Sequence, residues 1–90
     1  MKLKSRQVLN VTFAVEDSFS ETLPILVVMS DLRYPPADWL FVNMLSGTVY
    51  ERLPACLSDF DAVKKYHNEF HRELLPIADI ELRADIADWI

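Results

Sequence analysis

The feature that most constrains the fold is one amphipathic segment, residues 59–75, which lies among segments that alternate with a period of two. At about 100° per residue, five apolar side chains of this segment fall on one stripe of a helix. They are Phe60, Val63, Tyr66, Phe70 and Leu74. Ser58 offers a hydroxyl that can cap the first turn, and Pro76 disfavours helical geometry at the residue before it. The sequence therefore predicts a helix over residues 59–75, begun by Ser58 and ended by Pro76.

Most of the remaining chain has strand patterns. Four segments carry them: 7–16, 23–30, 39–45 and 48–53. The second is apolar on both faces, which predicts a central strand, and the polar residues 16–22 before it predict a loop. Gly47, the one glycine of the sequence, can adopt a positive φ and predicts a tight hairpin turn. The alternative is a short helix over residues 36–45 that Gly47 ends.

The tail from Ile77 fits either a strand or a helix. Its apolar and charged residues alternate, which is typical of a strand with one solvated face. In a helix, Asp85 and Asp88 would lie near the C-terminus, where the helix dipole disfavours negative charge. We therefore predict a strand over about residues 79–87 that pairs beside the basic first strand. The charges that this pairing would bring together are Lys2, Lys4 and Arg6 with Asp79, Glu81 and Asp85.

These elements predict an α+β fold, with a small antiparallel sheet of four or five strands and one helix on one face. A chain of 90 residues allows a single domain over residues 1–90. The apolar run Ile25 to Met29 is far shorter than the roughly 20 residues that a bilayer requires. The N-terminal pattern also lacks a secretory h-region, so we expect a cytoplasmic protein without a membrane. A single cysteine, Cys56, fits a reducing compartment.

The charge of the chain is acidic and unevenly distributed. The net charge is −5, although Lys2, Lys4 and Arg6 make the first six residues basic. Binding to phosphates requires clustered lysine and arginine, so we expect no direct contact with nucleic acid. The acidity accounts most simply for solubility. The alternative is an acidic surface that imitates nucleic acid or docks on a basic partner.

His67 and His71 are four residues apart, the spacing at which two helical imidazoles can share a metal ion. The string His-Asn-Glu-Phe-His lacks the glutamate at its second position that zinc proteases need. A closed zinc site would require two further ligands from Cys56, Asp59 or Glu73. We therefore predict no metal and no cofactor, with His67 packed in the apolar stripe and His71 at its edge.

Cys56 could pair with either histidine as nucleophile and base. The sequence around it offers neither an oxyanion site nor a third orienting group, so we predict a small buried cysteine and no enzyme.

The partner-binding hypothesis depends on a loop and on the C-terminus. Arg33, Tyr34, Pro35 and Trp39 belong to a probable loop, and their residue types are enriched at interface hot spots. For Trp39, burial in the core is the favoured alternative. Trp89 either docks onto the domain or forms a partner surface, including a homodimer seam through an edge strand.

By elimination, the sequence favours a small acidic protein-binding module that acts as an adaptor, inhibitor or assembly factor. One alternative is a metal-dependent regulator or small enzyme centred on His67 and His71 with Cys56. The other is an acidic inhibitor that mimics nucleic acid.

Overall fold

The computed structural model describes residues 1–16, 19–30 and 38–86. Its elements are β1 (Gln7–Glu16), β2 (Phe19–Met29), β3 (Asp38–Asn43), β4 (Thr48–Pro54), α1 (Phe60–Phe70) and β5 (Ile77–Asp85). The five strands form one sheet in the order β4-β3-β2-β1-β5, and every pairing is antiparallel. The predicted α+β class, the central position of the second strand and the strand character of residues 77–85 are confirmed.

The hairpin between β3 and β4 is also confirmed. Gly47 has φ of 73°, and its N–H donates to the Asn43 carbonyl over 2.8 Å. The Asn43 side chain accepts from the Leu45 N–H at 2.9 Å, which satisfies a second backbone group of the turn. Residues 38–43 are strand, so the alternative helix is wrong over that range.

The loop predicted over residues 16–22 is wrong from Phe19 onward, because β2 begins there. Threonine favours strands, and the hydroxyls of Thr12 and Thr22 share a hydrogen bond of 2.9 Å across the β1–β2 pair. Polar composition alone suggested a loop, whereas the residues continue the alternation of the strand that follows.

The core lies between α1 and one face of the sheet. It is a single cluster of buried side chains to which every strand contributes. Its members are Leu3, Leu9, Val11, Phe13, Ile25, Val27, Trp39, Phe41, Leu53, Phe60, Val63 and Ile77. Because strand side chains alternate between faces, these residues define the helix-covered face of the sheet. The indole N–H of Trp39 donates to the Leu57 carbonyl at 3.0 Å, which satisfies the polar atom of this core residue.

The strand after the helix pairs with β1, as predicted, but the charges do not assemble as expected. Asp85 lies opposite Gln7, and the Ile86 N–H donates to the Arg6 carbonyl at 2.9 Å. Asp79 and Glu81 lie opposite Thr12 and Asn10, several residues from the basic N-terminus. Because β5 runs antiparallel to β1, only its C-terminal end reaches the basic residues.

Both helix ends differ from the prediction. The N-cap is Asp59, whose Oδ1 accepts the Ala62 N–H at 2.7 Å, and Ser58 precedes it. Aspartate and serine are equivalent N-caps by propensity, so composition could not separate two adjacent candidates. Asp59 is also where the chain pairs with the N-terminus, through a bridge to Lys2 and a bond from the Phe60 N–H to the Met1 carbonyl.

The helix ends at Phe70, before the predicted residue Leu75. The Asn68 side chain holds the returning chain with two hydrogen bonds, donating to the Ile77 carbonyl at 3.0 Å and accepting the Ile77 N–H at 2.7 Å. This contact requires the backbone to reverse soon after Asn68, so the helix stops earlier than Pro76 demands. Phe70, the last residue of the helix, was predicted within the apolar stripe but is 60% exposed.

We predict that Asp59→Ala lowers the free energy of unfolding by about 1 kcal/mol, because the Ala62 N–H loses its capping partner. Ser58→Ala is the matched control and should change it by less than about 0.5 kcal/mol. Urea denaturation of both variants measures the difference. The assignment of the cap would be wrong if the serine variant were the more destabilised.

Candidate functional site

A buried polar cluster lies where α1 meets β4. His67 is fully buried on α1, and Glu51 on β4 has a side chain that is 3% exposed. His71, one turn later at the helix C-cap, has a side chain that is 21% exposed. His67 Nδ1 lies 2.9 and 2.8 Å from the two carboxylate oxygens of Glu51, and His71 Nδ1 lies 2.8 Å from Oε2. One carboxylate therefore holds both imidazoles.

A bulge in β4 brings Glu51 to the covered face. Phe41 pairs with Glu51, and Val42 pairs with Val49, so Tyr50 is an extra residue in the ladder. Such a bulge interrupts the alternation of faces. Tyr50 and Glu51, although adjacent, both lie on the helix side, where the Tyr50 ring packs 5.3 Å from Phe13.

His67 makes a hydrogen bond through each of its ring nitrogens. Its Nε2 lies 2.8 Å from the Leu75 carbonyl oxygen, and its Nδ1 faces the carboxylate. A carbonyl oxygen only accepts, so Nε2 carries a hydrogen, and Nδ1 shares a hydrogen with the carboxyl group of Glu51. No described buried side-chain polar atom is left without a hydrogen-bond partner.

The surrounding charges favour a cation at this position. Burial alone lowers the pKa of His67, but hydrogen bonds to Glu51 and Leu75 and the charges of Glu51 and Glu73 raise it overall. The pKa of Tyr50 is raised by burial and by the charges of Glu51 and Glu21. Three carboxylates therefore act on this end of the helix–sheet interface, and the raised pKa of His67 favours a proton that offsets part of their charge.

A second candidate lies on the opposite face of the sheet, where no described helix or strand packs. Five residues in register cross all five strands there, and we call them the apolar row. They are Ala84, Val8, Leu26, Val42 and Val49. Val8 is 5% exposed but lies outside the core cluster, and Val49 at the edge is 49% exposed. Val28 and Leu40 form a further cross-strand pair beside the row.

The residues in register around the apolar row are mainly acidic or uncharged. Asp79 and Glu81 are exposed on β5, opposite Thr12 and Asn10 of β1. Arg52 lies opposite Leu40 on β4 and is 3.7 Å from the carboxylate of Asp38. On one side of the apolar row lie the carboxylates of Asp79 and Glu81, and at β4 Arg52 is paired with Asp38. Arg6 and Arg83 adjoin the row at its other side, near Val8 and Ala84.

The structure separates the residues that the sequence singled out. It brings His67 and His71 together, but Cys56 is exposed in a shallow cleft of about 670 Å³ that Tyr66 and Arg52 also line. The prediction of a buried cysteine is wrong, because the residues before α1 form a surface turn. Trp39 is 7% exposed and belongs to the core. The other predicted partner-binding residues, Arg33, Tyr34, Pro35 and Trp89, lie outside the described residues.

Glu51 and the apolar row were not predicted from the sequence. Glu51 was visible only as a carboxylate within a strand pattern, two residues before a core leucine, Leu53. One sequence feature could have indicated the apolar row. Residues 23–30 are apolar on both faces of the strand, so one apolar face remains when the other packs on the helix.

Comparisons of the chain with protein-family models, curated proteins and solved structures found no match. The helix of the described ranges is too short and too polar to cross a membrane. The function proposed below is therefore based on the residues and their geometry.

We predict that stability falls as pH rises above about 6.5, since the raised pKa makes folded His67 bind a proton that the unfolded imidazole has lost. The contribution is complete below pH 6.5 and disappears as pH passes the folded pKa. Urea denaturation in EDTA between pH 6 and 9 measures it.

The Glu51→Gln variant tests the cause of this slope. Without the carboxylate, burial dominates and the pKa of His67 should drop, so stability should no longer decline across that interval. Glu69→Gln, which removes an exposed charge from α1, is the control and should retain the decline. A wild-type slope in Glu51→Gln would contradict the assignment.

Proposed function

We propose that this protein is a protein-binding module that holds a basic amphipathic segment of a partner protein. The segment would contact the apolar row and the exposed carboxylates beside it, Asp79 and Glu81, which we call the acidic margin. The observation that carries the proposal is the row itself, because it crosses the whole sheet on the face away from α1. Val49 is exposed, Leu26, Val42 and Ala84 are half-buried, and Val8 is buried, so a partner would contact the row mainly through its other four residues. An apolar strip with a polar border is typical of an interaction surface.

The shape of the row fits an extended or helical segment. Adjacent strands are about 4.8 Å apart, so five strands give a strip of roughly 20 Å. A helix rises 1.5 Å per residue, and three to four of its turns match that length. The apolar stripe of an amphipathic helix would lie along the row, and its polar side would face solvent.

The charge expected of the partner follows from the charged residues beside the apolar row. Asp79 and Glu81 are exposed beside the row, whereas Arg52 is paired with Asp38. Lys64 and Lys65 belong to α1, which packs on the opposite face of the sheet. With a net charge of −5 for the chain, complementarity favours lysine and arginine on the polar side of the partner. An adaptor, inhibitor or assembly factor could use such a surface.

Two other hypotheses make different predictions for the same face. A homodimer through the row would bring the acidic margins of two copies into one interface, where like charges repel. A nucleic-acid mimic requires carboxylates along the surface, whereas the centre of this face is apolar. We therefore favour a basic protein segment over both.

We predict that an 18-residue helical peptide of leucine and lysine binds the apolar row and that the matched leucine and glutamate peptide does not. Amide shifts of the ¹⁵N-labelled protein should cluster at Leu26, Val42 and Val49. Val49→Lys should weaken binding at least about 10-fold, since it places a charge in the strip and repels the basic peptide.

Phe70→Lys is the control, because it makes the same change in charge at an exposed apolar residue of α1. It should bind the peptide as the wild type does. Equal loss in both variants, equal binding of the acidic peptide, or binding that depends on salt alone would overturn the proposal. Self-association at NMR concentration that Val49→Lys abolishes would support the homodimer instead.

A further inference from the structure

We propose that Glu51, His67 and His71 form a binding site for a divalent transition-metal ion, for which zinc is the best fit. Each residue offers one ligand atom, and the three atoms lie within 4.8 Å of one another. The site is independent of the protein-binding surface, because it lies on the helix-covered face of the sheet.

The hydrogen bond from His67 to Leu75 prepares the ring for this role. His67 Nε2 donates to the Leu75 carbonyl at 2.8 Å, so Nδ1 is the nitrogen left to bind an ion. Histidines that bind metals in proteins generally donate their other ring N–H to a carbonyl or carboxylate in this way, which fixes the orientation of the ring. An ion would replace the hydrogen atoms that now link the imidazoles to Glu51.

The distances from each imidazole to the carboxylate are near those of a metal site. Zinc binds imidazole nitrogen and carboxylate oxygen at about 2.0–2.1 Å, which places tetrahedral ligands about 3.3 Å apart. The His67 and His71 Nδ1 atoms are each 2.8 Å from Glu51 Oε2. The three ligand atoms lie within 4.8 Å of one another, so rotations of the partly exposed His71 ring and of the carboxylate would have to close the wider gap and admit the ion.

The ligand set selects the kind of ion. Two imidazoles with one carboxylate suit zinc and neighbouring transition metals, whereas magnesium and calcium prefer oxygen ligands. Three protein ligands leave a fourth position for water, and the 21% exposure of His71 gives that position a route from solvent. Glu73 and Glu21 add negative charge around the cluster, which favours a cation further.

The proposed site does not follow the pattern of a zinc-protease helix. Its third ligand comes from a strand, sixteen residues before His67, and Glu69 between the histidines is exposed. A pattern confined to the helix could not reveal this site.

The test is a zinc titration of the full chain after removal of metal by a chelator. We expect saturating zinc to raise the Tm by at least about 5 °C and equimolar magnesium to leave it unchanged. His71→Ala should weaken zinc binding at least about 100-fold, because one of three ligands is lost from a partly exposed position. Long-range ¹⁵N spectra of the imidazoles should show zinc on Nδ1 of both His67 and His71.

Cys56→Ser is the control for zinc bound at the exposed thiol, and it should bind zinc as the wild type does. An unchanged Tm, zinc on Nε2, or affinity lost in Cys56→Ser but retained in His71→Ala would overturn the proposal. Val49→Lys should bind zinc normally and His71→Ala should bind the basic peptide normally, so the two proposals fail separately.

Discussion

The position of α1 on the sheet depends on the contact between His67 and Glu51. The helix has 11 residues and buries Phe60, Val63 and His67, so it is too short to be stable without tertiary contacts. Apolar packing tolerates several positions of a helix on a sheet, but an ionised carboxylate buried without a partner costs about 3–5 kcal/mol. The observed position of α1 avoids that cost, because it brings both His67 and His71 to Glu51. The bond from His67 to Leu75 then fixes where the chain returns towards β5.

Much of the fold could be predicted from local patterns. Alternation located the strands, Gly47 located the hairpin, and the period of the apolar residues located the helix and the burial of His67. Two of the errors have a common physical origin, because they depend on contacts between different elements. Asn68 ends the helix early through Ile77, and Glu51 became part of the histidine cluster through a bulge and a separation of sixteen residues. The candidates for further ligands that lie near the histidines in sequence, Cys56, Asp59 and Glu73, therefore did not include the residue that contacts them.

The apolar row and the proposed metal site both depend on the same strands. β2 is apolar on both faces: Ile25 and Val27 point into the core, and Leu26 belongs to the apolar row. The bulge at Tyr50 directs Glu51 towards α1 and Val49 to the opposite face. In the pairing of β1 with β5, Leu9 lies opposite Leu82 and Val8 lies opposite Ala84. Arg83 is therefore an extra residue in β5, and this bulge moves Ala84 to the face of the apolar row. Irregular pairing therefore completes the apolar row at both ends.

These bulges have a further consequence for the sheet margins. β4 and β5 are the outermost strands, and their free backbone groups could pair with another chain and begin aggregation. An extra residue twists the margin and interrupts the even row of donors and acceptors that an added strand needs. Pro54 removes one donor from β4, and Glu81 and Arg83 place charges along β5. The irregularities that shape the surfaces thus also protect the sheet against growth by strand addition.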